Sequence, residues 1–392
     1  MNPDHDRVQG AAALPPPLEG LLSRFTGGDR SALARAISVV ENERTGFQPF
    51  LDALLRVTSG GGARAGITGP PGAGKSTLVA ALAQACRDRD EEVGVVAVDP
   101  TSPFSGGALL GDRIRMNDIA MDRGIFIRSM ASRGSLGGLA TTTSEVLDVM
   151  DAFGFPRLLV ETVGVGQAEL EIAGSADTVV VVLVPESGDG IQAMKAGLME
   201  IADVFVVNKA DRPGADRLVK EIRLSLQLRQ GQAMGNVPAH HGVDLSRLQA
   251  GERSRTEGAE SGKAPDSGHG KGAETKEKWT VPIVKTVAQS GEGVPELVEA
   301  LDAHREYLAR SGELDARRRE RARTRIRNVV ERELRRTARR HLAESETLEA
   351  GLAGIREGTA TPYTVAARIL EELGVTGERI RLPRGDAQEV GS

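Results

Sequence analysis

The segment from Gly69 to Ser76 constrains the fold of this chain more than any other part of its sequence. It reads GPPGAGKS and matches the pattern G-x-x-x-x-G-K-[ST], a loop that wraps phosphate groups. That reading requires a strand before the loop and a helix after it. Arg64–Thr68 has the pattern of such a strand, and Lys75 begins an amphipathic segment. We therefore predict a phosphate-binding loop in an α/β fold.

Each residue type of this loop has a role in holding a nucleotide. Glycines let the backbone N–H groups turn towards phosphate oxygens, and the amino terminus of the helix adds its positive dipole end. We expect Lys75 to reach the β- and γ-phosphates and the Ser76 hydroxyl to bind Mg²⁺. The predicted nucleotide-binding residues of the loop are Gly69, Gly72, Ala73, Gly74, Lys75, Ser76 and Thr77.

After Arg64, short β-branched runs alternate with amphipathic segments, which is typical of a parallel sheet covered by helices. The fold class predicted is therefore the α/β P-loop NTPase fold, with a mostly parallel sheet flanked by helices, an N-terminal helical segment and a C-terminal helical arm. The predicted strands are Arg64–Thr68, Val93–Asp99, Gly124–Met130, Arg157–Thr162, Thr178–Pro185, Val204–Ala210 and Val281–Ala288.

Composition along the chain predicts its organisation. We expect a mobile N-terminus over residues 1–17, a helical segment over 18–60, a nucleotide-binding domain over 61–310 and a helical region over 311–392. Within the domain, residues 232–277 are poor in large apolar side chains and rich in Gly, Ser, Glu and Lys. Such a segment cannot bury enough apolar surface to offset its ordering entropy, so we predict a disordered insertion there.

The composition also bounds the class of protein. A net charge of −5 neither favours nor excludes a polyanionic partner. Cys86 is the only cysteine, which excludes an intramolecular disulfide and a cysteine-built metal cluster within one chain. No apolar run approaches about 18 residues and no secretion signal is visible, so we expect a cytoplasmic protein without a membrane span.

The tetrapeptide NKAD indicates which base is bound. It comprises Asn208, Lys209, Ala210 and Asp211, at the end of a predicted strand downstream of the phosphate loop. A carboxylate accepts hydrogen bonds from the ring N–H and the exocyclic amine of guanine, whereas adenine presents an acceptor at that ring nitrogen. A site built for such paired bonds rejects the wrong base strongly. The later strand end at Thr286, Val287, Ala288 and Gln289 is expected to close over the base with backbone groups.

Acidic residues at two strand ends and in one loop are candidates for the Mg²⁺ shell. Glu161 ends a strand and begins the segment ETVGVGQ, in which the amide of Gly164 is placed to sense the terminal phosphate. Asp99 ends another strand and Asp112 lies in the loop after it. For these two aspartates, a structural role as a helix cap or in a loop turn is an equally good explanation.

Two further observations concern hydrolysis. Val165 follows the switch glycine where signalling GTPases carry a water-orienting glutamine, and the nearest glutamine is Gln167, so we expect slow intrinsic hydrolysis that a partner accelerates. The loop PESGDGIQAMKAG carries Asp189 and Lys195 in positions from which they can approach the nucleotide. An ordinary polar helix start looks similar.

The order of these motifs closely resembles the methylmalonyl-CoA mutase-associated GTPase family, also labelled MeaB, ArgK or LAO/AO transport ATPase. The segments that carry the resemblance are GPPGAGKS, VDPTSPFSGGALLGDRIRM, SRGSLGGLA, ETVGVGQAE, PESGDGIQAMKAG and NKAD. The resemblance covers most of the chain. Gly190, where the family pattern favours an acidic residue, and the 232–277 insertion depart from it.

The resemblance implies a homodimeric GTPase chaperone of an adenosylcobalamin-dependent acyl-CoA mutase, which gates cofactor loading and protects the mutase. GTP, GDP and Mg²⁺ are the implied ligands. Catalytic roles fall to Lys75, Glu161, Asp189 and Lys195, and the metal shell to Ser76, Asp99, Asp112 and Glu161. The lysine of the third switch loop is implicated in hydrolysis when the mutase is bound.

Residues 317–340 hold twelve arginines and three glutamates on a predicted long helix, Leu314 to about Ala343. Clustered cations suggest nucleic-acid binding, but no aromatic side chains are interleaved with them. An apolar stripe with four-residue spacing favours packing against another helix instead, and the resemblance implies the dimer contact here. The stripe comprises Ala322, Ile326, Val330, Leu334, Ala338 and Leu342.

Three other functions fit parts of the sequence. A metal-delivery GTPase requires a Cys/His cluster, which a single cysteine disfavours. A kinase or ATPase of a transport system requires adenine recognition or a phosphate acceptor site, against which NKAD argues. A passive scaffold with a vestigial site is disfavoured by the full set of phosphate-binding, switch and base-reading residues.

Overall fold

The computed structural model describes residues 14–57, 60–100, 116, 119–132, 141–162, 172–185, 197–229 and 278–375. Three helices precede the sheet: α1 (Pro16–Thr26), α2 (Arg30–Glu41) and α3 (Phe47–Val57). Asp29 caps α2 by accepting from the backbone N–H groups of Ser31 and Ala32. Because proline is favoured in the first turn of a helix, α1 begins at Pro16, inside the segment predicted to be mobile.

The central sheet has seven strands in the order β3-β2-β4-β1-β5-β6-β7, and every neighbouring pair is parallel. The strands are β1 (Ala63–Thr68), β2 (Val93–Pro100), β3 (Ile125–Ser132), β4 (Arg157–Glu161), β5 (Thr178–Leu183), β6 (Val204–Asn208) and β7 (Ile283–Thr286). All seven predicted strands therefore form, and the α/β fold class is confirmed.

The remaining helices are α4 (Lys75–Arg87), α5 (Thr141–Phe153), α6 (Ala215–Arg229), α7 (Val294–Ser311), α8 (Glu313–Glu344), α9 (Glu346–Glu357) and α10 (Pro362–Glu372), with a short helical turn at Met199–Ile201. Gly293 precedes α7 and Gly312 follows it, both in the left-handed conformation that glycine adopts at low cost. The predicted long helix is confirmed as α8.

The sheet is buried on both faces, which explains the apolar composition of its strands. One face packs against α4 and α7, and its inward side chains include Ile67, Val95 and Val206. On the opposite face, α1–α3 and α5 pack against β2 and β4, and α6 packs against β5 and β6. Successive strand residues point to opposite faces, so both layers take their core from the same strands.

The chain divides into two compact units, Met1–Arg318 and Arg319–Ser392. In the second unit, Ser345 caps α9 and Thr361 forms a capping box at the start of α10. Gly351 lets these two helices approach closely, because a Cβ there would lie 2.5 Å from Val365 Cγ1. In the part of the chain that the structure describes, no helix combines the length and apolar character needed to cross a membrane.

The predicted stripe of α8 is exposed in this chain. Ile326, Val330 and Leu334 are 66%, 51% and 57% exposed. None of the residues of α8, all of which the structure describes, is buried. The predicted insertion at 232–277 lies outside the described residues.

Candidate nucleotide site

The carboxyl ends of the parallel strands lie at one edge of the sheet, where ligands bind in open α/β folds. Thr68, Glu161 and Asn208 end β1, β4 and β6 at this edge, and Thr286 ends β7. The phosphate loop leaves β1 here and leads into α4. The fold thus brings together the phosphate loop, the acidic strand end and the base-reading tetrapeptide.

The turn out of β1 requires glycine at its first position. Gly69 has a φ of 138°, and a Cβ there would lie 2.1 Å from the carbonyl oxygen of Val182 on β5. Gly72 and Gly74 also have positive φ, 77° and 83°, but only Gly74 faces a close neighbour, since a Cβ would lie 2.6 Å from Asn208 Nδ2. The glycines therefore allow close approach by β5 and β6 as well as turning the loop.

Lys75 is buried at the first turn of α4, and its ammonium group lies against the loop. The Nζ atom donates to the carbonyl oxygens of Gly69, at 2.9 Å, and Pro70, at 3.1 Å. A lysine held at the mouth of the loop and at a helix amino terminus places positive charge where a phosphate would bind. Thr77, which is also among the predicted nucleotide-binding residues, is half-buried in the first turn of α4.

Ser76 and Glu161 meet across the loop. The Ser76 hydroxyl donates to Glu161 Oε1 at 2.7 Å, and both side chains are buried. Below them, the Thr162 hydroxyl donates to Thr68 Oγ1 at 3.0 Å, and the Thr162 N–H donates to the carbonyl of Ile67. These bonds fix the end of β4 against the end of β1, so the carboxylate is held next to the phosphate loop.

Within NKAD, the first two residues bind the phosphate loop. Asn208 Nδ2 donates to the carbonyl of Ala73 at 2.8 Å, and Lys209 Nζ donates to the carbonyl of Gly72 at 2.9 Å. Lys209 has a φ of 56°, which is uncommon for a residue with a Cβ and turns the chain sharply after β6. Asp211 is exposed at the end of this turn, open to a ligand.

The strand end after β7 also packs onto Asn208. The Ala288 N–H and the Thr286 hydroxyl both donate to Asn208 Oδ1 at 3.1 Å. The Val287 N–H donates to the carbonyl of Glu292. The N–H groups of Val287 and Ala288 thus have protein acceptors in this structure, and Gln289 is exposed; their contact with the base stays a prediction.

Several predicted site residues fall where the structure gives no account of them. Asp112, Gly164, Asp189 and Lys195 lie outside the described residues, as does the side chain of Asp99. Among the residues that are described, no group of three or more His, Cys, Asp or Glu side chains is arranged to hold a metal ion. The roles of Asp99, Asp112, Gly164, Asp189 and Lys195 at the nucleotide stay predictions.

Cys86, on α4, is a core residue. It is 1% exposed and packs in the layer between α4 and the sheet. Burial raises the pKa of its thiol to about 11. Because the thiolate is the reactive form, this thiol is inert near neutral pH and serves as a small core residue.

The family model of the methylmalonyl-CoA mutase-associated GTPase MeaB matches residues 33–343, most of the chain. The chain belongs to this GTPase family. The resemblance predicted from the order of the motifs is thereby confirmed, and GTP is the nucleotide that the MeaB family hydrolyses. The matched span contains the phosphate loop, Glu161 and NKAD.

Individual relatives agree with the family. A Pyrococcus abyssi protein named as a GTPase is 46% identical to this MeaB-family chain over 297 residues, 76% of this chain and 79% of the relative. A mouse mitochondrial protein, named as the methylmalonic aciduria type A homolog, is 30% identical over 76% of this chain and 65% of its own length. The crystal structure of a LAO/AO transport system kinase covers 93% of this chain with a TM-score of 0.57 and 24% identity, which supports the fold alone.

Sequence reasoning missed the contacts that join these motifs. Thr162 is not among the predicted site residues and Thr286 was expected to contribute only backbone groups, yet their hydroxyl groups hold the end of β1 and Asn208. The available signal was a polar residue at the end of a buried strand, as Thr286 is on β7, or directly after it, as Thr162 is after β4. Such a residue faces the ligand edge of a parallel sheet and must find a partner there.

Proposed function

We propose that this MeaB-family chain is a GTP-hydrolysing chaperone of an adenosylcobalamin-dependent acyl-CoA mutase of the methylmalonyl-CoA mutase type. It acts in the cytoplasm as a homodimer, gates the loading of the cofactor and protects the mutase. The observation that carries the proposal is the family match together with a phosphate loop tied directly to NKAD. A chaperone that couples its nucleotide state to a client requires this kind of connected site.

The base is read by Asp211, which is exposed, while Asn208 and Lys209 hold the phosphate loop beside it. Guanine then occupies the turn after β6, and the phosphates lie along the loop from Gly69 to Ser76. Lys75 exchanges its carbonyl partners for phosphate oxygens when the nucleotide binds, because an ammonium group pairs more strongly with an anion than with a neutral carbonyl.

The residues present fit Mg²⁺. Ser76 and Glu161 bring a hydroxyl and a carboxylate together in a buried position, and hard oxygen donors of this kind suit that ion. When bound, Mg²⁺ would neutralise charge on the phosphates and help to hold the nucleotide. Ser76 would hold it directly and Glu161 through water, while Asp99 and Asp112 are proposed to complete the shell.

Hydrolysis is proposed to depend on the client. Val165 in the position after the switch glycine predicts a slow intrinsic rate, and Asp189 with Lys195 is proposed to complete the site when the mutase binds. This arrangement gives a timer whose nucleotide state reports the presence of the client.

The test is single-turnover GTP hydrolysis by the purified full chain while purified methylmalonyl-CoA mutase is titrated in. We expect the rate to rise and to saturate with mutase concentration. The controls are the mutase alone, an equal mass of serum albumin, and Lys75→Ala, which should bind no GTP and show no rate. If none of the acyl-CoA mutases of the host accelerates hydrolysis, the client assignment is wrong.

A further inference from the structure

The side-chain amide of Asn208 occupies a closed slot between the two halves of the nucleotide site. The side chain is 2% exposed. On one side its Nδ2 donates to the carbonyl of Ala73, and the Cα of Gly74 is so close that an added Cβ would lie 2.6 Å from Nδ2. The orientation of this amide therefore determines whether its bond from β6 to the phosphate loop forms, beside the one that Lys209 makes to Gly72.

Thr286 bonds to the opposite end of the same amide. It is the last residue of β7, lies opposite Asn208 in the parallel register, and is 1% exposed. Its hydroxyl donates to Asn208 Oδ1 at 3.1 Å, and the Ala288 N–H donates to the same oxygen at 3.1 Å. A reversed amide would place its NH₂ group against the Ala288 N–H and its carbonyl against the carbonyl of Ala73, so the observed orientation is strongly preferred, and in it the Thr286 hydroxyl adds a second donor to Oδ1.

We propose that Thr286 is a positioning residue for nucleotide retention. By fixing the amide of Asn208, its hydroxyl holds the phosphate loop to the base-reading end of β6 and slows the release of guanine nucleotide. Thr286 acts through Asn208 and needs no contact with the nucleotide itself. The inference rests on the proposed guanine site, and neither the phosphate-loop pattern nor N-K-x-D includes this threonine.

The alternative is that the hydroxyl only satisfies a buried polar atom and stabilises the fold. Thr286→Val separates the two, because valine nearly keeps the shape of threonine and removes the donor, leaving Asn208 Oδ1 with the Ala288 N–H alone. We expect release to become about tenfold faster, which is the effect of roughly 1.4 kcal/mol. Thr286→Ser keeps the hydroxyl and should release nucleotide close to the wild-type rate.

Thr178→Val is the matched control. Thr178 is also buried, 4% exposed, and its hydroxyl is hydrogen-bonded to His304 Nδ1 at 2.8 Å. It begins β5, at the edge of the sheet opposite the nucleotide site. This variant loses the same chemical group from a buried hydrogen bond, and we expect it to release nucleotide like the wild type.

The experiment is stopped-flow displacement of fluorescent N-methylanthraniloyl-GDP from the full chain by excess GDP, with melting temperatures of all variants measured in parallel. The Asn208→Ala background supplies a second readout. If Thr286 acts through Asn208, adding Thr286→Val to Asn208→Ala leaves the release rate unchanged, whereas a separate stabilising role adds to it.

The outcomes separate this inference from the proposed function. A wild-type chain that binds ADP as tightly as GDP overturns the guanine site and the role of Thr286 with it. A guanine-selective wild type whose Thr286→Val variant releases GDP no faster than Thr178→Val does overturns the role of Thr286 alone. The role of Thr286 alone is also overturned if Thr286→Val accelerates GDP release in the Asn208→Ala background as much as it does in the wild type.

Discussion

At the scale of single residues, Asn208 and Asp211 of NKAD differ in burial. The buried residue builds the site, and the exposed one is the proposed contact with the base. Asn208 is buried and bonded to Ala73, Thr286 and Ala288, whereas Asp211 is exposed. The first residue can therefore be assigned to assembling the site from the structure itself. The second is left to meet the base, and its role has to be tested with nucleotides.

Asp211→Asn should lower the affinity for GTP by roughly 100-fold, because the amide places a donor where guanine also presents donors and a charged hydrogen bond is lost. Xanthine carries a carbonyl in place of the exocyclic amine, so XTP should bind the variant better than GTP does. Calorimetry with GTP, XTP and ATP measures this. Asp216→Asn, which changes an exposed carboxylate paired with Lys285, is the control. Unchanged guanine selectivity in Asp211→Asn would refute the assignment of the base.

Glu161→Gln tests the metal role of the buried carboxylate next to Ser76. In the wild type, chelation of Mg²⁺ with EDTA should accelerate GDP release. In the variant, release should be fast with or without Mg²⁺, because a neutral amide attracts the ion and its water much less than a carboxylate does. Glu92→Gln, on an exposed carboxylate near Arg30, should keep the wild-type response to EDTA. A variant with the full EDTA effect would remove Glu161 from the metal shell.

At the scale of elements, the phosphate loop offers a comparison between Gly69, a fixed glycine of the motif, and Gly72, which stands at one of its variable positions. Gly69→Ala forces a Cβ against the carbonyl of Val182, whereas at Gly72 an added Cβ meets nothing within 4 Å. Both positions have positive φ, so both variants strain the backbone, but only Gly72, at 77°, lies near the left-handed region, where a residue with a Cβ costs about 1–2 kcal/mol. We expect a markedly lower melting temperature of the nucleotide-free protein for Gly69→Ala only. Equal losses would mean that β5 yields to the added methyl group.

The sequence predicted the strands well because each is an apolar β-branched run buried on two faces. Their ends were less predictable. The run from Val281 to Ala288 gave a strand of only four residues, because Pro282 has no N–H to donate and Val287 turns to pair with Glu292 in an isolated antiparallel bridge. The motif residues were likewise visible, but bonds such as Ser76 to Glu161 and Thr286 to Asn208 depend on which strands become neighbours, which no local pattern specifies.

The amino ends of β5 and β6 form a second polar cluster, away from the nucleotide. His304 on α7 is fully buried, with Nδ1 bonded to Thr178 and Nε2 3.4 Å from Asp203 Oδ1. Asp203 also binds the guanidinium of Arg317 through both carboxylate oxygens at 2.8 Å. Trp279 packs against the imidazole at a centroid distance of 4.7 Å, with the two rings tilted by 51°, and donates to the carbonyl of Asp203. This cluster attaches the start of α8 to the sheet.

Burial lowers the pKa of His304, Arg317 lowers it further, and Asp203, Glu313 and Asp177 oppose the shift. The folded state thus binds fewer protons than the unfolded state, so stability should fall as pH drops below the unfolded value of about 6.5 and towards the folded pKa. Melting temperature and Trp279 fluorescence between pH 8 and pH 5 measure this.

His304→Gln should reduce the fall in melting temperature between pH 8 and pH 5. His341→Gln, at an ion pair with Glu372 on α10, is the control and should leave it in place. A His304→Gln variant with the wild-type pH profile would assign the acid sensitivity to other groups.

At the scale of the whole molecule, the chain forms two compact units, and the exposed apolar stripe lies in the second of them. The unit Met1–Arg318 holds the sheet and the described parts of the nucleotide site, and its apolar side chains form three buried clusters. The unit Arg319–Ser392 leaves large apolar residues of α8 exposed. An exposed apolar stripe on an otherwise charged helix is the expected surface for association. The proposed homodimer gives this stripe a partner.

Val330→Glu tests that proposal, because it places a charge in the middle of the stripe between Ile326 and Leu334, where a dimer contact would have to desolvate it. We expect the wild type to have twice the mass of the 41.5 kDa chain in light scattering after size exclusion, and the variant to be monomeric at micromolar concentration. Arg336→Glu changes the charge more, but lies off the stripe on an exposed part of α8, and should stay dimeric. Both variants should bind GDP like the wild type, since the nucleotide residues lie in the other unit. A Val330→Glu protein that stays dimeric would show that the subunits associate elsewhere.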